Sequence, residues 1–186
     1  GALTTGASVV AIGYNALAAA TTGSVRGVYI GDSAGSRTSI GTATTAVGYH
    51  ALKVNTEGTY NTAIGDKALS TLDKVGSDVP INNTAVGAEA GELATYGDQG
   101  TYIGSQAGKA VTTASNNTFV GALSGTGTTT GADNVAVGAE ALDTNTTGSR
   151  SVAIGYQALY TSDAASSYNV AVGYKAGYAT NTGTQN

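Results

Sequence analysis

The sequence contains no cysteine, methionine or tryptophan, and it has one phenylalanine, one proline and one histidine. Without cysteine, neither disulfides nor thiolate metal sites can form. The only histidine, His50, falls at an outward polar position of a repeated pattern, which is typical of a solvated surface side chain. The residue types on which nucleophilic and metal-based catalysis depend are therefore almost absent. We expect no enzyme activity, no metal and no cofactor.

Charged residues are also few, and none of them forms a run. There are 12 acidic and 8 basic residues, giving a net charge of −4. The sequence lacks the basic patch that marks binding to nucleic acid or to an anionic membrane surface. It also lacks a signal peptide and an apolar run of about 20 residues that could span a bilayer. We expect no nucleic-acid partner and no membrane insertion, and, because position 1 is not methionine, we expect this segment to belong to a longer chain.

The sequence does contain a repeated octet, residues 62–69, which is written ten times with small changes. The glycine of each copy, called here the anchor glycine, is Gly13, Gly31, Gly48, Gly65, Gly87, Gly104, Gly121, Gly138, Gly155 or Gly173. Successive anchors lie 18, 17, 17, 22, 17, 17, 17, 17 and 18 residues apart. A steady period near 17 predicts a solenoid in which each repeat is one coil that cannot bury its apolar face alone. Residues 1–186 are therefore predicted to form one domain.

The residues before each anchor glycine alternate as in a β-strand. Those one and three places before the anchor, the β-branched rows, are Val, Ile or Thr in every copy. The residue between them, in the alanine row, is Ala in seven copies and Tyr29, Tyr102 or Phe119 in the others. Spacing by two puts the β-branched rows on one strand face and the alanine row on the other. This pattern predicts an all-β fold, a parallel β-solenoid or β-roll of about ten 17-residue coils.

A strand that is apolar on both faces is normally covered on both. We expect one face to lie inside the coil and the other to contact further copies of the chain. The alanine row is the expected contact with other chains, and Tyr29, Ala63, Tyr102, Phe119 and Ala136 are the candidate trimer-axis residues.

Two polar or aromatic columns carry alternative interpretations. Asn61, Asn83, Asn117, Asn134 and Asn169 stand four places before their anchors. They could form a ladder of stacked amides, or they could simply favour the turn into the strand. Four tyrosines directly follow their anchors: Tyr14, Tyr49, Tyr156 and Tyr174. This tyrosine column could be a carbohydrate platform or a surface packing stripe.

One interval breaks the period. Between Gly65 and Gly87 about five extra residues are inserted, and this stretch holds Asp73, Lys74, Asp78 and Pro80. Insertions in surface loops cost little closure entropy and often carry function. These four residues are the candidate receptor loop, and the alternative is a tolerated insertion with no partner.

The octet resembles the head repeats of trimeric autotransporter adhesins, the YadA-like family, whose signature runs Asn-Ser-Val-Ala-Ile-Gly. Residues 151–155 and 134–138 carry the pattern most clearly, residues 61–65 are a threonine variant, and similar repeats occur in phage tail fibres. The resemblance implies a left-handed β-roll and a homotrimer packed about a common axis. The family repeat is usually shorter, which implies a longer loop in each coil here.

The resemblance also implies a function. The chain is expected to be a structural segment of an extracellular, cell-surface or virion fibre or adhesin, which spaces or presents a region that binds a host glycan or protein receptor. Whether the fibre is bacterial or belongs to a phage stays open.

Two other classes remain as alternatives. Thr45, Thr62, Thr84, Thr101 and Thr118 form a column similar to the threonine ladders of ice-binding solenoids. A carbohydrate-active β-helix enzyme would need paired carboxylates. Asp32 and Asp66 share a column, but two coils separate them by about 10 Å, beyond the usual working range of such pairs.

Overall fold

The computed structural model describes residues 8–20, 26–38, 43–56, 58–72, 82–162 and 167–180. These residues form strands and turns and contain no helix. The strands are β1 (Ser8–Ile12), β2 (Arg26–Ile30), β3 (Arg37–Thr38), β4 (Thr44–Val47), β5 (Val54–Asn55), β6 (Thr62–Ile64), β7 (Thr71–Leu72), β8 (Thr84–Val86), β9 (Thr101–Ile103), β10 (Thr118–Val120), β11 (Val135–Val137), β12 (Val152–Ile154), β13 (Thr161–Ser162), β14 (Val170–Val172) and β15 (Ala179–Thr180).

One long parallel sheet organises the molecule. It has ten strands in the order β1-β2-β4-β6-β8-β9-β10-β11-β12-β14, one for each anchor glycine. Short strands after the turn form two further parallel sheets, β3-β5-β7 and β13-β15. The predicted all-β parallel solenoid is confirmed.

Strand register follows the repeat residue by residue. Thr118 pairs with Val135, Phe119 with Ala136, and Val120 with Val137, so each position lies over its equivalent in the next coil. The long interval between Gly65 and Gly87 leaves this register intact, because Thr62 still pairs with Thr84. The insertion therefore does not interrupt the stack.

The structure reverses the expected faces of the long sheet. Tyr29, Ala63, Tyr102, Phe119 and Ala136 have no exposed surface and belong to the core of the chain. The prediction that they are trimer-axis contacts is wrong, because side chains enclosed by their own coil cannot contact another chain. The β-branched rows, expected inside, face outward instead.

The physical reason lies in how the coils are filled, and eight of the ten coils follow one of two patterns. An alanine in the alanine row accompanies a leucine four places after the anchor, as with Ala46 and Leu52, and both are fully buried. An aromatic residue in that row accompanies a glycine four places after the anchor. The three pairs are Tyr29 with Gly35, Tyr102 with Gly108 and Phe119 with Gly125. The coils with Ala85 and Gly91 and with Ala171 and Gly177 carry two small residues, and in the first of them the ring of Tyr102 lies against Gly91. Most coils therefore enclose one small and one large residue, whereas the β-branched rows lie outside.

Each anchor glycine is required where successive coils pass closest. Gly104 has φ +134°, a conformation that residues with a Cβ rarely adopt. A Cβ atom on Gly104 would also lie closer than 3.0 Å to the carbonyl oxygen of Gly121 in the next coil. The same contact recurs from Gly13 to Gly155, so this glycine allows the coils to stack at strand spacing.

Buried asparagines bind one coil to the next. The Asn117 amide donates through Nδ2 to the carbonyl of Gly131, at 2.8 Å, and its Oδ1 accepts from the backbone N–H of Asn134, at 2.9 Å. Asn83 and Asn134 make the equivalent pair of bonds to their next coils. The column is therefore a series of bridges from amide to backbone, which satisfies buried polar groups that would otherwise be unpaired.

Candidate interaction surface

The long sheet presents its β-branched rows to solvent, and these two rows are called here the outward sheet face. The rows consist of Val10, Ile12, Val28, Ile30, Thr45, Val47, Thr62, Ile64, Thr84, Val86, Thr101, Ile103, Thr118, Val120, Val135, Val137, Val152, Ile154, Val170 and Val172. Even in the middle of the stack Ile64 is 39% and Ile103 40% exposed, and near its ends Ile12 is 58% and Val172 65% exposed. The two rows contain no charged residue, and Arg26, two places before Val28 in β2, borders them.

The continuity of the face is its unusual property. Single exposed apolar residues are normal on a soluble protein, whereas a contiguous apolar patch commonly marks an interaction site. Here the apolar side chains follow one another over ten hydrogen-bonded strands with identical register. The face is a continuous stripe with the spacing of a β-sheet.

The five central threonines of the face differ from those turn threonines that bridge neighbouring coils. Several turn threonines donate their hydroxyls to carbonyl oxygens of a neighbouring coil, as Thr112 does to Thr129 at 3.1 Å and Thr144 to Tyr160 at 2.8 Å. Within the described residues, the threonine hydroxyls on the outward sheet face make no such bond. These threonines are Thr45, Thr62, Thr84, Thr101 and Thr118. Five hydroxyls in one column are thus free to bond with something outside the coil.

Polar side chains border the face on the side where the strands begin. Arg150 lies 3.6 Å from the Asp133 carboxylate, and its guanidinium packs 5.3 Å from the centre of the Tyr168 ring. Asn116 donates to Asp133 at 3.1 Å. These residues are exposed, which resembles the polar rim of a protein interface.

A charged network lies beyond the anchor glycines. Lys109 Nζ is 2.6 Å from Glu89 Oε2, and Gln106 donates to the same oxygen at 2.9 Å. These hydrogen bonds, that of Lys109 first, lower the pKa of Glu89. The network joins adjacent coils on the surface, where such pairs contribute little stability.

The residues considered for catalysis lie near one another, since both Asp32 and Asp66 act to raise the pKa of the His50 imidazole against the larger effects of burial and Lys53. His50 stacks on Tyr49, with ring centroids 3.8 Å apart, and burial followed by the charge of Lys53 lowers the pKa of the imidazole. Asp32 and Asp66 lie in coils on either side of that of His50. Among the described residues no group of three or more acidic, histidine or cysteine side chains is placed to hold a metal ion.

The tyrosine column behaves as a packing stripe where its members are adjacent. The rings of Tyr156 and Tyr174 stack with centroids 5.7 Å apart, and Tyr160 and Tyr178 stack in the same way at 5.1 Å. Rings stacked on one another turn their faces towards neighbouring coils rather than towards a ligand. The geometry therefore favours the packing interpretation over a carbohydrate platform.

The candidate receptor loop, Asp73, Lys74, Asp78 and Pro80, lies outside the described residues. The sequence did not indicate that the β-branched rows face solvent, because a strand with valine on one side and alanine on the other is apolar on both sides. One signal was available in the sequence. Tyrosine or phenylalanine in the alanine row always accompanies glycine four places after the anchor, and residues need to compensate in volume in this way only if they share one interior.

No family model, no curated protein and no solved structure matches this chain. In the part of the chain that the structure describes, no helix is long and apolar enough to cross a bilayer.

Proposed function

We propose that this chain is a structural segment of a homotrimeric fibre or adhesin, extracellular or on a virion, which spaces or presents a region that binds a host surface. The observation that carries the proposal is the outward sheet face. A continuous β-branched stripe without charged residues, running along the whole described stack, is suited to contact with another protein surface.

Further copies of the same chain are the occupants that fit this face best. A partner must present side chains at the same rise of about 4.8 Å per strand over the same length. Another copy of the chain provides that spacing at every coil without any adaptation. Association along the face would bury valine and isoleucine side chains at roughly 25 cal/mol for each Å² removed from water.

The number three and the location outside the cell rest on the resemblance to adhesin heads and phage fibres. A three-fold axis parallel to the stack would bring three outward sheet faces together and leave the turns on the outside. Every turn, including the insertion between Gly65 and Gly87, would then be displayed three times, and weak contacts with a host receptor would add by multivalency.

Sedimentation analysis of the purified chain tests the proposal. The parent should sediment as a trimer, and I103E together with I154E should dissociate it, because two glutamates in each chain would meet uncompensated at the axis. The matched control is A88E together with A122E, which places the same charges at exposed turn positions and should leave the trimer intact. A parent that is a stable, well-folded monomer would contradict the proposal.

Ice binding is a second candidate, because the threonine column faces outward with hydroxyls that make no bond within the described residues. Thermal hysteresis of a freezing solution measures it directly. Hysteresis that is lost when Thr84 and Thr101 are each replaced by leucine would favour ice binding, and its absence in the parent would exclude it. A trimer that buries the column would also exclude it.

A further inference from the structure

The outward sheet face is not uniform along the stack, and its variation has a consistent form. Three places before the anchor, the column reads valine in the first two coils, threonine in the next five and valine in the last three. Strand pairing places the five threonines directly over one another from Thr45 to Thr118. At its two ends the block meets Val28 and Val135.

We propose that this threonine block fixes the axial register of the chains in the oligomer. The inference rests on the proposed function, since it concerns how copies of the chain meet. Its occupants are further copies of the chain, with each threonine level with the same threonine of its neighbours.

A solenoid needs such a device because its other contacts repeat. Sliding one chain past another by one coil, about 4.8 Å, would again place β-branched residues against β-branched residues. Valine and isoleucine alone therefore discriminate poorly between registers. A chain that could slide would form staggered, open assemblies in place of a closed one.

The threonine block breaks this degeneracy through its hydroxyls. In register, the hydroxyls of one layer can donate to and accept from one another. After a slip of one coil, Thr45 of one chain would lie level with Val28 of the other, and Val135 of the first chain would lie level with Thr118 of the second. Each buried hydroxyl would then lack a partner, which is unfavourable. A single buried polar position sets register in coiled coils by the same principle.

The absence of internal partners supports this role. Turn threonines such as Thr95 and Thr129 bond to carbonyls of the next coil and so act within one chain. The block threonines make no such bond. Valine, which has nearly the same shape, occupies the same position in the other coils. Since the hydroxyls contribute no hydrogen bond within the described chain, their position in one contiguous block is best explained by a contact between chains.

The test uses a variant whose column is threonine in all ten coils, V10T, V28T, V135T, V152T and V170T, so that a slip of one coil no longer places threonine against valine. The matched control, T45V together with V135T, moves the block by one coil and keeps both of its ends. All these substitutions exchange nearly isosteric residues. Native mass spectrometry of each refolded chain measures the distribution of oligomers.

The parent and the moved-block control should each give one closed species, and the all-threonine variant should lose that species in favour of larger, staggered assemblies. An all-threonine variant that gives the same single species as the parent would overturn the register proposal and leave the oligomer in place. A parent that forms no oligomer would overturn both proposals. Circular dichroism of each variant confirms that it is folded before the measurement.

Discussion

A Cβ atom added to Gly35 would collide with the ring of Tyr29, lying closer than 3.0 Å to its Cδ1 and Cε1 carbons. Gly35 stands four places after its anchor, where other coils carry leucine. The ring of Tyr29 thus occupies the space that a leucine fills elsewhere. Tyr102 extends the same relationship to two coils, because it lies against both Gly91 and Gly108.

This relationship predicts how the two residues respond to substitution. Replacing Gly35 with alanine should lower the free energy of unfolding by about 1–3 kcal/mol through overpacking. Tyr29→Ala should lower it by about 3–5 kcal/mol through a cavity. Tyr29→Ala combined with Gly35→Leu should recover much of this loss, because it copies the Ala46 and Leu52 filling of the next coil. Urea unfolding measures all three, and simple additivity of the two changes would contradict the shared interior.

The anchor glycines predict a difference between the middle and the end of the stack. Gly104→Ala should destabilise severely, by more than about 3 kcal/mol, because the new Cβ meets the backbone of Gly121 in addition to the strain at φ +134°. Gly173 has nearly the same φ, +131°, but among the described residues a Cβ there would meet only the Ala176 side chain, at 3.9 Å. Gly173→Ala should therefore cost chiefly the backbone strain, about 1–3 kcal/mol. Equal losses in thermal melting of the two variants would show that coil stacking does not require the glycine.

Two neighbouring asparagines provide a matched test of the buried bridges. Asn117→Ala should lower the unfolding free energy by about 2–4 kcal/mol, since it leaves the Gly131 carbonyl and the Asn134 N–H without their partner. Asn116→Ala removes an exposed bond to Asp133 and should cost no more than about 1 kcal/mol, chiefly because φ there is +61°. Denaturant midpoints measure the pair. A loss for Asn117→Ala no greater than that for Asn116→Ala would mean that the bridges are dispensable.

Buried tyrosines predict a loss of stability at alkaline pH. Burial raises the pKa of Tyr29 from its ordinary value of 10.0 to about 12, and burial, with the charge of Asp98 adding to it, raises the pKa of Tyr102 further. Below pH 10 both are protonated whether the chain is folded or unfolded. Between pH 10 and 12 only the unfolded chain loses the Tyr29 proton, so its contribution, about 3 kcal/mol, is lost across that window.

Phenylalanine substitution separates this effect from general alkaline damage. Tyr29→Phe should reduce the fall in stability between pH 10 and 12, and Phe119 shows that the position accepts phenylalanine. Tyr96→Phe, at an exposed position, is the control and should behave as the parent does. Urea unfolding at a series of pH values gives the comparison, and an unchanged alkaline slope in Tyr29→Phe would rule out the assigned cause.

Much of the fold could be predicted because like residues recur at like intervals. Thr62, Thr84 and Thr101 share a position in the repeat, and they pair in that order in the sheet. The extra residues after Leu72 did not obscure the register, since the octet on each side of them is complete. The asparagine column was also visible, but its bonds to Gly97, Gly131 and Gly148 depend on the path of the turn and could not be predicted from spacing.

The sequence by itself determined that the strands are parallel, stacked in order and in register, because only that arrangement places every anchor glycine beside the next. Which face of each strand lies inside was decided by the tertiary structure. Alanine and valine alternate with a period of two, and either face is apolar enough to be buried. The choice depends on what fills the coil from the opposite side, where Leu52 or the space beside Gly35 admits alanine or an aromatic ring and leaves valine, isoleucine and threonine on the surface.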